Sequence, residues 1–180
     1  MQIQNRFLLI PIFLILCVIT CCKREYIKLN NNGYKKIEAN DYDGAFKDFD
    51  SSISINDKYW LSYCNRGASY LLQGDYQKAI ADFDKSINLL SRNPMAFDNR
   101  GMCKLFLGDS VGALNDFRTA HTFNKNDIKV QTHLGRLLAE MDSCKEAIIF
   151  LDVSIQKKAF DNCNSEQELR ELKNKCELKK

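Results

Sequence analysis

The strongest constraint on this chain is a period. Gly33, Gly67, Gly101 and Gly135 stand at one constant spacing. Ala45, Ala79, Ala113 and Ala147 keep the same step, as do Phe49, Phe83 and Phe117, with Leu151 in the fourth place. Ile53, Ile87 and Ile155 share a column that His121 interrupts. Asn65-Arg66-Gly67 returns as Asn99-Arg100-Gly101. The copies divide the chain into units 26–59, 60–93, 94–127 and 128–161, which cover most of its 180 residues. One unit this short cannot bury its own apolar face, so it is stable only when stacked on its neighbours. Two prolines and eight glycines are few breakers for this length and favour helices over many short strands.

The pattern resembles the tetratricopeptide repeat (TPR). In that family, repeat position 4 is large, 8 is Gly or Ala, 20 is Ala, 24 is aromatic and 27 is small. Leu29, Tyr63 and Phe97 fill position 4, and Ser52, Ser86, Ala120 and Ser154 fill position 27. Asn40-Asp41-Tyr42, Gly74-Asp75-Tyr76 and Gly108-Asp109-Ser110 supply turns. The departures are Lys36 and Lys104 at the aromatic position 11, no proline at position 32, and a degraded fourth unit with Gln131 at position 4. The resemblance implies an all-α, right-handed superhelical solenoid of four helix-turn-helix repeats, each with a helix A and a helix B. Residues 162–180 form a C-terminal capping helix in this reading. Ser165 and Glu168 have capping-box spacing, and Leu169 and Leu172 sit at positions 8 and 11 of a would-be fifth repeat.

The N-terminus is of another kind. Arg6 precedes an apolar run from 7 to 20 that Pro11 interrupts, and Cys21-Cys22 follows. The run is shorter than the roughly 20 apolar residues that a membrane span needs, and a charged start before a short apolar core is the layout of a signal peptide. Val18-Ile19-Thr20-Cys21 resembles the lipobox of bacterial lipoproteins. That resemblance implies a signal peptide at 1–20, lipid attachment at Cys21 (or Cys22 if the register slips by one), and a linker over 21–25. The expected location is the bacterial cell envelope, exported and membrane-associated through the lipid. A single-pass signal anchor and a cleaved soluble protein are the alternatives.

The usual signatures of catalysis are missing. The sequence contains no Gly-rich phosphate loop, His-Glu-x-x-His, Gly-x-Ser-x-Gly or Cys-x-x-Cys. A net charge of +3 is too weak to announce a nucleic-acid partner. The expectation is therefore a non-enzyme with no cofactor, metal or small-molecule substrate. His121 reads as a packed residue, and Asp82 and Asp84 on a helix B read as a solvated surface. Of the eight cysteines, Cys64 and Cys103 are expected to stay reduced. In the repeat geometry, the cap helix runs antiparallel to helix B of the fourth repeat. This makes Cys144 and Cys176 a candidate disulfide, the alternative being two small buried apolar residues.

The resemblance also places a partner. The A helices of TPR proteins line a concave groove that takes a protein or peptide. Carried onto this chain, the groove holds Asn31, Tyr34, Leu61, Cys64, Asn65, Met95, Asp98, Asn99, Met102, Phe106, His133 and Arg136. Asn31, Asn65 and Asn99 would grip a peptide backbone, because an amide both donates and accepts. Position 5 carries Asn30, Cys64, Asp98 and Thr132, none basic, so no clamp for a C-terminal carboxylate is assembled. The expected function is a membrane-anchored, non-catalytic scaffold. A substrate-docking subunit of a separate envelope enzyme and a self-associating structural protein are the alternatives.

Overall fold

The computed structural model describes residues 24–157 and 163–179, with side chains omitted at 163–165. The leader, Cys21 and Cys22 lie outside the described residues. Within them the chain is an all-α helical repeat solenoid. Helix α1 covers 24–38. It is followed by α2 (Tyr42–Ile55), α3 (Trp60–Leu72), α4 (Tyr76–Leu89), α5 (Pro94–Phe106) and α6 (Ser110–Phe123). Helices α7 (Ile128–Glu140), α8 (Cys144–Gln156) and α9 (Cys163–Glu177) complete it. From α2 onward each helix packs on the next one in the chain, and α3 also touches α5 as α7 touches α9.

Short polar residues start these helices. The carboxylates of Asp41 and Asp109 accept from the N–H of Gly44 and Gly112 at 3.0 and 2.8 Å. Asn93 accepts from Ala96 N–H, and Pro94 opens α5, where its missing N–H costs nothing. Between paired helices the chain turns through a left-handed residue at Asn40, Gly74, Gly108 and Asp142, with φ of 60, 81, 84 and 57°. Position 15 of every repeat therefore takes the conformation that favours glycine, or failing that Asn and Asp.

The period has a steric cause. A Cβ placed on Gly33, Gly67 or Gly101 would sit 2.7, 2.9 or 2.7 Å from the ring of Phe49, Phe83 or Phe117. At Gly135 it would meet Leu151 at 3.0 Å. Each glycine makes room for the large residue at position 24, and those four large residues are fully buried. Where position 27 is serine, its hydroxyl bonds across to a neighbouring helix. Ser52 Oγ donates to the Tyr26 carbonyl at 2.8 Å and Ser86 Oγ to that of Trp60 at 3.0 Å. At Ser154 the cross-helix bond comes from Thr132 Oγ1 at 3.0 Å.

The seams between repeats use two chemistries. Arg66 lays its fork on Asp82 at 2.7 and 2.8 Å and reaches back to Asp50 of the preceding repeat. Arg100 repeats this with Asp116 at 2.6 and 2.8 Å and with Asp84 at 2.6 Å. Lys104 adds a second cation to Asp116. Asp82 and Asp116 are buried, and these pairings raise the arginine pKa values, with desolvation opposing. This corrects the reading of Asp82 as solvated surface, because it is buried under Arg66; Asp84 keeps half of its side chain exposed while it pairs with Arg100. In the fourth repeat the positions of Arg66 and Asp82 are taken by Leu134 and Phe150. There the core is aliphatic, with Val130, Leu134, Leu137, Leu138, Ile148 and Leu151 in one cluster. Helix α9 closes that cluster with Leu169 and Cys176 buried and Leu172 packed against it.

Candidate functional site

Odd-numbered helices present the face that the sequence assigns to a partner. Asn31 and Tyr34 from α1, Leu61 and Asn65 from α3, and Met95 from α5 line one cleft of about 540 Å³. Asn30, Lys35 and Glu38 complete its wall. Tyr34 and Met95 are exposed at 51 and 42% and stand together in this cleft. The cleft thus combines an aromatic ring, a flexible thioether and three amides.

The remaining candidates divide. Asp98 and His133 meet, with Asp98 Oδ1 2.8 Å from Nδ1 of His133, and the imidazole lies 5.2 Å from the Phe117 ring. This pair links α5 to α7. The equivalent link from α3 to α1 is Asn65, whose amide donates to Asn30 Oδ1 at 3.1 Å. A bond from position 6 to position 5 of the preceding repeat thus recurs along the groove floor. It engages one N–H of the Asn65 amide and leaves that side chain its second N–H and its carbonyl oxygen for other contacts. Asn99 is half-buried, and Met102 packs its side chain against the C-terminal core. Arg136 points to the cap, where Nη2 donates to Glu168 at 3.0 Å. Phe106 is exposed and stacks on Tyr76 with centroids 5.0 Å apart.

Cys64 is a correction. It is buried rather than in the groove, and burial pushes its thiol up to about 12. Asn30 and Thr132 are buried at the same position. Burial similarly raises Cys103 to about 11. His121 is half-buried, edge-on to Phe150 at 5.3 Å, and desolvation and then Lys125 lower its pKa.

Cys144 and Cys176 are both free thiols, and Cys144 packs against the core cluster in which Cys176 is buried. Beside them is a second cleft of about 730 Å³, lined by Asp142, Ser143, Cys144, Lys145, Glu146 and Lys179. Among the described residues no cluster of His, Cys, Asp or Glu could hold a metal ion. No helix there is long and apolar enough to cross a membrane.

Comparison with known proteins places this architecture. The family model described as tetratricopeptide repeat matches residues 60–93. No curated protein matches the chain in sequence. A tetratricopeptide repeat protein from Parabacteroides merdae superposes with a TM-score of 0.70 at 17% identity, over 87% of this chain and 61% of that one. YrrB, described as a TPR protein with an unusual peptide-binding site, gives 0.66 at 20% identity, over 89% and 86% of the two chains. The second TPR domain of human RPAP3, in complex with the HSP70 peptide SGPTIEEVD, gives 0.61 at 24% identity, over 64% and 97%. Together with the in-phase glycines, turns and buried aromatics, these matches make residues 60–93 a tetratricopeptide repeat and give the described chain the fold of TPR proteins.

Proposed function

We propose that this protein is a non-catalytic interaction module that holds an extended protein segment in its concave groove, and that a lipid on Cys21 or Cys22 anchors it to the bacterial cell envelope. The cleft built from Asn31, Tyr34, Leu61, Asn65 and Met95 carries the reading, since three successive repeats bring it together. Its chemistry favours a neutral segment with an aliphatic or aromatic side chain. Tyr34, Leu61 and Met95 supply adaptable apolar contact. Asn31 and Asn65 supply amide groups for the ligand backbone. RPAP3 and YrrB support peptide binding as a use of this fold. The acidic peptide of RPAP3 does not transfer, because position 5 here carries no cation and three of its four side chains are buried.

The test is selection of displayed decapeptides on the full chain, followed by titration of the winners. Met95→Glu is expected to weaken binding at least tenfold, about 1.4 kcal/mol, with helicity unchanged. Selected peptides whose affinity ignores both Met95→Glu and Tyr34→Ala would overturn the groove reading. For the anchor, fatty-acid labelling should disappear in a Cys21→Ala, Cys22→Ala double variant. Persistent labelling would refute lipidation at these cysteines.

A further inference from the structure

We infer that Cys144 and Cys176 form a thiol–disulfide site that latches the cap helix α9 onto α8 and thereby controls whether the C-terminal end of the solenoid is covered. The two thiols come from opposite ends of the cap junction. Cys144 opens α8, half-exposed at the rim of the 730 Å³ cleft. Cys176 lies near the end of α9, buried in the core cluster against which Cys144 packs. The ion pair between Lys179 and Asp142 holds the end of α9 against the start of α8, where Cys144 lies. Cys163 is the other cysteine on α9, and about 20 Å of helix separates it from Cys176. A bridge spans at most roughly 7 Å between Cα atoms, so both cannot serve the same partner.

Access assigns the order of events. A disulfide-bearing exchange partner, RSSR, enters from the cleft and meets Cys144 first. The Cys144 thiolate attacks one sulfur, forming Cys144–S–S–R and expelling RS⁻. The Cys176 thiolate then attacks the Cys144 sulfur and expels the second RS⁻. Two protein thiols give one disulfide, and the two electrons and two protons leave as two RSH. Lys179 lines the same cleft as Cys144. Burial raises the Cys176 thiol to about 11, which disfavours its thiolate and leaves the first attack to Cys144; Cys176 follows once the mixed disulfide is beside it.

The latch has something to hold. In the dithiol form α9 is kept by Leu169, Leu172 and three ion pairs: Arg136–Glu168, Lys173–Asp152 and Lys179–Asp142. At least one partner of each pair is well exposed, and such pairs contribute little. If α9 lifts, Leu137, Leu138 and Leu151 lose cover and Arg136 loses Glu168. Closing a loop of about thirty residues removes much of that freedom. The proposal is independent of the groove reading, and its tests do not measure peptide binding.

The full chain is equilibrated with oxidised glutathione, alkylated and mapped without reduction. The expected result is one Cys144–Cys176 linkage, a melting point higher by roughly 5 °C than in dithiothreitol, and slower tryptic cutting at Arg170 and Lys173. Cys144→Ser keeps the size of a half-exposed side chain and should erase all three differences while leaving helicity unchanged. Cys176→Ser should abolish the linkage as well. Alkylation of both residues after oxidation, or linkage of either to Cys163, would overturn the proposal. So would a linkage that leaves both melting and cutting as they are in the reduced protein.

Discussion

The second and third repeats differ from the fourth in what fills the same seam. In the former an arginine at position 7 spans an aspartate of its own repeat and one of the repeat before. In the fourth, Leu134 and Phe150 replace arginine and aspartate together. The same glycine-against-large-residue contact closes the helix pair in all three. Backbone geometry therefore comes from the glycine at position 8 and the large residue at position 24, while the seam chemistry is exchangeable. Exchange has to be paired, because a buried cation without its carboxylate costs several kcal/mol.

The largest expected effect tests that pairing. Leu134→Arg alone should lose at least about 3 kcal/mol by denaturant unfolding, since the new charge faces Phe150. Adding Phe150→Asp should recover part of the loss. If the double variant is as unstable as the sum of its singles, the seams are not equivalent. Next is Arg100→Met, expected to cost about 2 kcal/mol after allowance for the partly exposed pairs. Its cost should shrink in high salt, whereas that of Leu134→Ala should not. A salt-independent loss would show that Arg100 acts through its stem on Phe97, which lies 5.1 Å below the guanidinium.

Gly74→Ala should then cost about 1–2 kcal/mol, because its φ of 81° admits a Cβ only with strain. The smallest effect is in pH. Burial raises Cys64 and Cys176, so in the unfolded chain their thiols ionise first, near pH 9. The contribution of these neutral thiols is fully present below pH 9 and is lost as pH climbs toward 11 and 12. Cys64→Ala should flatten that alkaline decline in a melting series, and an unchanged slope would remove Cys64 as its cause.

Most of the fold is legible in the chain because its determinant is periodic and steric. A glycine and a large side chain, at positions 8 and 24 of each unit, mark where two helices touch. The ladder is harder to read. Arg66 and Arg100, Asp50 and Asp84, and Asp82 and Asp116 each recur one period apart. Yet charges on a helix B look solvated until the partner helix is in place. Cys64 falls outside the groove for a related reason: the neighbouring helices decide whether position 5 faces the groove or the seam, and Asn30, Cys64 and Thr132 are all buried there. The amide of Asn65 is compatible with a ligand in isolation, but Asn30 on the neighbouring helix already takes one of its two N–H donors. Single columns of a repeat convey size well and convey pairing poorly.

The unlike seams also give the middle of the solenoid and its C-terminal end unlike responses to their surroundings. An aliphatic seam draws its strength from water leaving apolar surface, and this driving force weakens on cooling. An ion ladder draws on charges that dissolved salt screens. Cold therefore loosens the end carrying Leu134, Leu151 and Leu169, and brine loosens the stretch carrying Arg66 and Arg100. A single molecule of this shape softens at its C-terminal end in cold water and along its middle in salt water.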